Sequence, residues 1–422
     1  LHRAVLDNGI VILVKENPAV DIVSARLFIR AGSRWETAAQ AGLSHLVSAV
    51  LTKGTEQRSS LEIAEQVESL GASLGTDATT DYFLLSLKTV SADFATVLKL
   101  ACELLRTPTF PEHELEVERR LTLQAIRSQQ EQPFTIAFDR LRQVMYGEHP
   151  YALSGLGTEP TVNQIQRPDL LQYHQTHFRP DNLVVSLCGR VMPDAAIGLV
   201  ESLLGDWTVP DARLPQLHLL PVQQRPTRTA LPQPTQQSIV MLGYLAPAVS
   251  LKPPDAEDYI ALKLLNSYLG NGLSSRLFVE LREKRGLAYD VSAFYPTRLA
   301  TAQFVTYMGT APENTAIALE GLQTEVDRLR TTLLSPDELQ TAKNKLLGQY
   351  ALGKQTNAQI AQTFGWYETL GLGIEFDQYF QQQIAALTPE AAQAAAIRYL
   401  TEPFVSLVGP AEAIEAVVPL VA

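Results

Sequence analysis

A single histidine, His45, stands in the apolar helical stretch AGLSHLVSAVLTKGT, residues 41–55, which stops at Lys53-Gly54-Thr55. A helical imidazole becomes a zinc ligand when a second one lies about a turn away on the same face, with a carboxylate beside it to activate the bound water. Residues 48 and 49 are instead serine and alanine. Serine has no basic carboxylate and alanine no donor atom, and one imidazole does not hold a catalytic zinc, so His45 reads as a packed or hydrogen-bonded helix residue. His174 and His177, in YHQTHFRPDN, lie three apart on a predicted helix, a spacing that could share a metal or simply be architectural. His2, His113, His149 and His218 are scattered without ligand spacing. Cys102 and Cys188 form no C-x-x-C pair and sit in apolar surroundings, as buried free thiols do.

The second stretch with chemical content is YLGNGLSSRLFVELREKRGLAYDVSAFY, residues 268–295. Gly270 and Gly272 lack both the third glycine of a dinucleotide fingerprint and the Lys-Ser/Thr of a phosphate loop. The spacing predicts an amphipathic helix with Leu277, Phe278 and Leu281 inside, a C-cap at Gly286, and then a strand.

The elements that must position these residues follow from the whole chain. At 422 residues it exceeds one ordinary core and predicts two or more domains. A net charge of −11 argues against a nucleic-acid surface, which needs clustered Lys and Arg. No apolar run approaches a membrane span, and the first residues read as strand, turn at Asp7-Asn8-Gly9, and strand rather than as a signal peptide. A cytoplasmic location is the expectation, although a start at Leu1 without methionine leaves room for a removed leader.

Landmarks recur in the same order in two halves. VSARLFIRAGS and SIVMLGYLAPA are matching first strands. LLRTPTFPEHELEVERRLTLQAIRSQQEQP and LRTTLLSPDELQTAKNKLLGQYALGKQ each start a long helix at a Pro-acid pair. LLQYHQTHFRPDNLVVSLCG and AAQAAAIRYLTEPFVSLVGP each run from helix to buried strand. The Pro- and Gln-rich stretch between the halves predicts a linker, giving domains 1–204 and 238–422 joined by 205–237. The fold class expected is α+β: two homologous domains, each a mainly antiparallel sheet packed with helices, with the helices on one face.

Residues 41–55 resemble the zinc helix of the pitrilysin/insulinase-type, or inverzincin, metallopeptidases, whose pattern runs G-L-x-H-x-x-E-H-x-x-x-K-G-T. Gly42, Leu43, His45, Lys53, Gly54 and Thr55 match. The resemblance puts Ser48 at the base position, Ala49 at the second ligand and Ala125, 76 residues on, at the third. It therefore implies no metal in this chain. Residues 275–289 resemble the family's second-domain motif S-R-L-F-x-E-x-R-E-x-x-G-L-A-Y, and LDNGIVILVKE, RAGSRWE and FRPDNLVVSLCG extend the likeness along the chain. The implied pair is Arg282, holding the substrate main chain, and Tyr289, donating to the oxyanion. Some members divide the work between two chains, one keeping H-x-x-E-H and the other the Arg/Tyr pair. This chain is similar to the second kind, and its short LGNGLSS loop favours the bacterial heterodimers over the mitochondrial processing peptidase. The implication is a subunit inactive alone, completing the site of an H-x-x-E-H partner that carries the zinc and hydrolysing peptides or unfolded polypeptides with it. The alternatives are a non-proteolytic core-type subunit and a peptide-binding homodimer. GASLGTDATTDYFLLSL resembles the family strand that pairs with bound peptide, with Asp77-Ala78 where active members usually carry Asn-Ala.

Overall fold

The computed structural model describes residues 1–223 and 225–417; position 224 of the predicted linker and residues 418–422 of the predicted second domain lie outside the described residues. Strands β1 (His2–Val5) and β2 (Val11–Glu16) flank the predicted turn, where Gly9 takes a φ of +90°. With β3 (Ile22–Ile29), β4 (Ser73–Ala78), β5 (Phe83–Val90) and β6 (Leu183–Gly189) they form a sheet ordered β1-β2-β6-β3-β5-β4. A second sheet is built from β7 (Arg228–Pro232), β8 (Ser238–Ala246), β9 (Asp290–Phe294), β10 (Ala302–Thr310) and β11 (Phe404–Gly409), in the order β7-β11-β8-β10-β9. Neighbours are antiparallel except β2–β6 and β7–β11. The run β2-β6-β3-β5-β4 thus repeats as β7-β11-β8-β10-β9 in order and direction, which is the duplication read from the landmarks. The expected α+β class of two mainly antiparallel modules is the observed one.

Two features differ from the sequence expectation. The stretch 205–237 contains β7, an edge strand paired only with β11. Its proline falls at the strand end, where a missing backbone donor costs least. Helices also cover both faces of each sheet. In β3, Val23, Ala25, Leu27 and Ile29 point into a core shared with helices Leu43–Leu51 and Phe94–Arg106. Phe28 points the other way and, with Val11, Leu13 and Val184, packs under Phe364 and Trp366 of helix Asn357–Thr369.

That helix comes from the second half of the chain. The described chain forms two compact units: Leu1–Ile126, Leu153–Leu219 and Ala351–Phe376 around the first sheet, and Arg127–Ala152, Leu220–Tyr350 and Asp377 onward around the second. Each half lends the other's sheet one helix, Pro133–Tyr146 or Asn357–Thr369, and each follows its own long helix, Glu112–Gln130 or Pro336–Leu352. The contacts are close enough to demand glycine. A Cβ on Gly365 would lie 2.4 Å from the Phe28 ring and 2.8 Å from Ser186 Cβ, and one on Gly243 would lie 2.5 Å from Met145 Sδ. In the first unit Glu368 also takes an ion pair from Arg3 at 2.8 Å, and the Asn357 amide donates to the Ile22 carbonyl at 2.9 Å.

Candidate functional site

In the first unit, helix Leu43–Leu51 begins at Gly42, whose φ of +95° brings its backbone against the Leu156 carbonyl, where a Cβ would sit at 2.6 Å. The buried Glu36 carboxylate caps this helix, accepting from the Gly42 N–H at 3.0 Å and the Ser44 N–H at 2.6 Å. Burial pushes its pKa up to about 7, against the pull of those same hydrogen bonds. His45 is half-buried, and its Nε2 lies 3.2 Å from Thr122 Oγ1 on helix Glu112–Gln130. Burial lowers the imidazole pKa, with Glu118 and Asp77 opposing weakly, so the ring is neutral at neutral pH. Glu118 is itself paired with Lys53 at 3.0 Å.

The remaining positions of the zinc pattern offer no ligand set. Ser48 is buried and its carbonyl accepts from Thr76 Oγ1 at 2.7 Å; Ala49 is half-buried and Ala125 is exposed. The side chain that the long helix turns toward His45 is Thr122, one turn before Ala125. Alanine carries no donor and a serine hydroxyl is no carboxylate, so these residues do not fit a zinc held by two histidines and a glutamate. Among the described residues no group of three His, Cys, Asp or Glu side chains is placed to hold a metal ion.

His174 and His177 are core residues of helix Arg167–His177. His174 Nε2–H donates to the Leu105 carbonyl at 2.8 Å and its ring stacks on Phe178; His177 packs between Trp35 and Tyr173. Burial pushes both pKa values down to about 4. Cys102 and Cys188 are buried free thiols, raised by burial to about 12 and about 11. Asp77 lies on β4, the open edge of the first sheet.

In the second unit, residues 278–283 form a π-helical turn rather than the regular amphipathic helix expected. Lys284 N–H reaches the Val279 carbonyl at 3.0 Å, and Leu287 N–H reaches Leu281 at 2.9 Å. Leu277 and Leu281 are buried as predicted, and Gly286, with φ +63°, ends the turn. Phe278 is only half-buried, and its ring lies under the Arg282 guanidinium, 4.9 Å from centroid to Cζ. Arg282 is exposed and, among the described residues, its side chain makes no ion pair or hydrogen bond; the nearby Glu280 is held by Lys284 at 2.9 Å and Arg276 at 3.5 Å. Tyr289 precedes edge strand β9; its N–H donates to the Gly309 carbonyl at 2.9 Å while its side chain is 65% exposed. Single π-turns within helices are frequent at functional sites. Arg282 and Tyr289 thus stand together on one short segment of the second unit, whereas His45, Ser48, Ala49 and Ala125 belong to the first.

Residues 11–159 match the model of insulinase, peptidase family M16, and residues 164–346 match the model of the peptidase M16 inactive domain. The chain belongs to peptidase family M16. Relatives of this M16 chain include an uncharacterized zinc protease of Streptomyces coelicolor, 27% identical over 97% of this chain and 90% of the relative. Another, YmxG of Bacillus subtilis, is also called an uncharacterized zinc protease and is 27% identical over 86% of this chain and 87% of its own length. Among solved structures, a peptidase M16 inactive domain from Pseudomonas fluorescens superposes with a TM-score of 0.87 at 27% identity, covering 97% of this chain and 98% of that one. A protease from Helicobacter pylori shares the fold with a TM-score of 0.89 at 20% identity, over 96% and 98% of the two chains. Among the described residues of the M16 chain, no helix is long and apolar enough to cross a membrane.

Three residues here have roles that the sequence alone does not assign. Thr122 has a legible signal, since Leu115, Arg119, Thr122 and Ile126 are the buried positions of the long helix at helical spacing. Glu36 lies six residues before the glycine it caps, and no local pattern marks it. Phe278 reads as core, because its spacing suits either burial or a shelf for the residue four positions on.

Proposed function

We propose that this chain is the Arg/Tyr-bearing subunit of a two-chain zinc metallopeptidase, without a zinc site of its own, acting on peptides or unfolded polypeptides. The observation that carries the reading is the exposed Arg282 and Tyr289, whose donor groups have no protein partner among the described residues. In the partner, zinc held by an H-x-x-E-H helix would supply the activated water. The work of this chain is positioning and charge stabilisation. The Arg282 guanidinium offers a rigid fork of donors to main-chain carbonyls of an extended peptide. The Tyr289 hydroxyl donates to the oxygen that gains charge when the peptide carbonyl is attacked. The open edge of β4 is a second place where backbone pairing could hold the peptide. A cytoplasmic setting suits two unpaired, buried cysteines.

The test is peptide hydrolysis by the chain alone and by the chain co-purified with its H-x-x-E-H homologue. The chain alone is expected to be silent and the pair active. Arg282→Ala and Tyr289→Phe are each expected to lower the pair's kcat, by about a hundredfold for the oxyanion donor. Full activity in both variants, or failure to form a pair, would leave the non-proteolytic core-type subunit as the reading.

A further inference from the structure

We infer that Phe278 is a positioning residue for substrate: its ring is the shelf that holds the Arg282 guanidinium flat and aimed away from the protein. The inference rests on the proposed role of Arg282 as a main-chain clamp. An arginine exposed on a regular helix samples many rotamers and pairs with whichever carboxylate lies a turn away. Three observations set Arg282 apart. Its guanidinium carbon lies 4.9 Å from the Phe278 ring centroid, within cation–π distance. The turn is π-helical, and it is fixed at its start by Arg276, which bonds the buried Glu325 at 2.5 Å. No carboxylate lies a turn from it on the chain, since the positions three and four residues away are Val279, Phe278, Arg285 and Gly286, and the nearer Glu280 is held by Lys284 and Arg276. An aromatic face attracts the cation without using its N–H groups, so all five donors stay free for carbonyl oxygens. Phenylalanine suits this better than a carboxylate, which would orient the guanidinium by occupying its donors.

The test compares full-length wild type with Phe278→Leu, Phe278→Tyr, Arg282→Ala and the double variant Phe278→Leu/Arg282→Ala. The first measurement is the rate at which phenylglyoxal modifies Arg282, followed by mass spectrometry and normalised to the other exposed arginines. Phe278→Leu is expected to raise that rate about two- to fivefold, the worth of an exposed cation–π contact, and Phe278→Tyr to restore the wild-type rate. The second is binding of a fluorescein-labelled, unstructured peptide without charged side chains, read by anisotropy. Phe278→Leu is expected to weaken it by a similar factor, and the double variant to bind no more weakly than Arg282→Ala alone. An unchanged modification rate, or additive losses in the double variant, overturns the positioning role. Unchanged peptide binding in Arg282→Ala instead overturns the clamp reading, while the modification rate still decides whether Phe278 holds the guanidinium.

Discussion

Acidification should destabilise the first unit through His174 and His177, and replacing one of them should remove a measurable share of that loss. Both imidazoles have folded pKa values pushed down to about 4, against an ordinary value near 6.5. A depressed histidine contributes stability that is present above pH 6.5 and lost as pH falls toward 4, because only the unfolded chain takes up the proton. Between pH 7 and pH 4.5 the loss is about 2 kcal/mol for each ring. Glu36 acts in the opposite sense. Its folded pKa, raised to about 7, costs stability at neutral pH and returns about 2 kcal/mol over the same interval. His174→Gln is the informative change, since a glutamine amide can still donate to the Leu105 carbonyl but does not titrate. The assay is urea unfolding followed by tryptophan fluorescence at the two pH values. All three tryptophans, Trp35, Trp207 and Trp366, lie in the first unit, so the signal reports that unit. The variant should lose about 2 kcal/mol less than wild type on acidification. An identical loss in both proteins would refute the assignment of the proton uptake to His174.

The same titration makes Glu36→Gln informative: without the carboxylate that is relieved by acid, the loss between pH 7 and pH 4.5 should grow by about 2 kcal/mol. Gly365→Ala should destabilise by about 1–3 kcal/mol in thermal unfolding, because the new methyl meets the Phe28 ring and Ser186 Cβ, which have little room to move. Gly243→Ala should cost less, since the nearest atom is the far end of a flexible methionine, and a reversed order would contradict the packing described. Trypsin should cut after Arg213, in an exposed stretch without regular structure. The two fragments should still co-elute in size-exclusion chromatography, because each supplies a helix to the other's sheet, and separate peaks would count against the exchange. In the proposed two-chain peptidase, Tyr289→Phe should leave KM nearly unchanged while kcat falls about a hundredfold, which steady-state kinetics would check.

The duplicated topology was legible because strands such as LVVSLCG and SIVMLGYLA are continuous apolar runs and because their helix-strand junctions repeat. Runs of this kind also carry information about layering. A strand apolar at every position, like Val11–Val14 of β2, is buried on both sides, which already calls for a second helical layer. Which helices supply that layer was not legible, since Pro133–Tyr146 and Asn357–Thr369 look like ordinary successors of the helices before them. The zinc-pattern positions could be read by residue type alone. The His45–Thr122 contact, the Glu36 cap and the Phe278 shelf depend on which faces meet, and that is set by long-range packing. Strand β7 is not legible within 205–237 because proline and glutamine dominate its neighbourhood while the strand itself is short and half-exposed.

The traded helices bear on how the molecule arose. Two modules with the same strand order imply an ancestor of half the length. Cut back to one module, such a chain would present the sheet face carrying Phe28, Leu13 and Val184 with nothing over it, and a spare helix with nothing under it. Two copies exchanging helices satisfy both at once. Gene fusion would then have tied together two modules that already traded helices, and later substitutions in one copy's Leu43–Leu51 helix would leave those traded helices untouched.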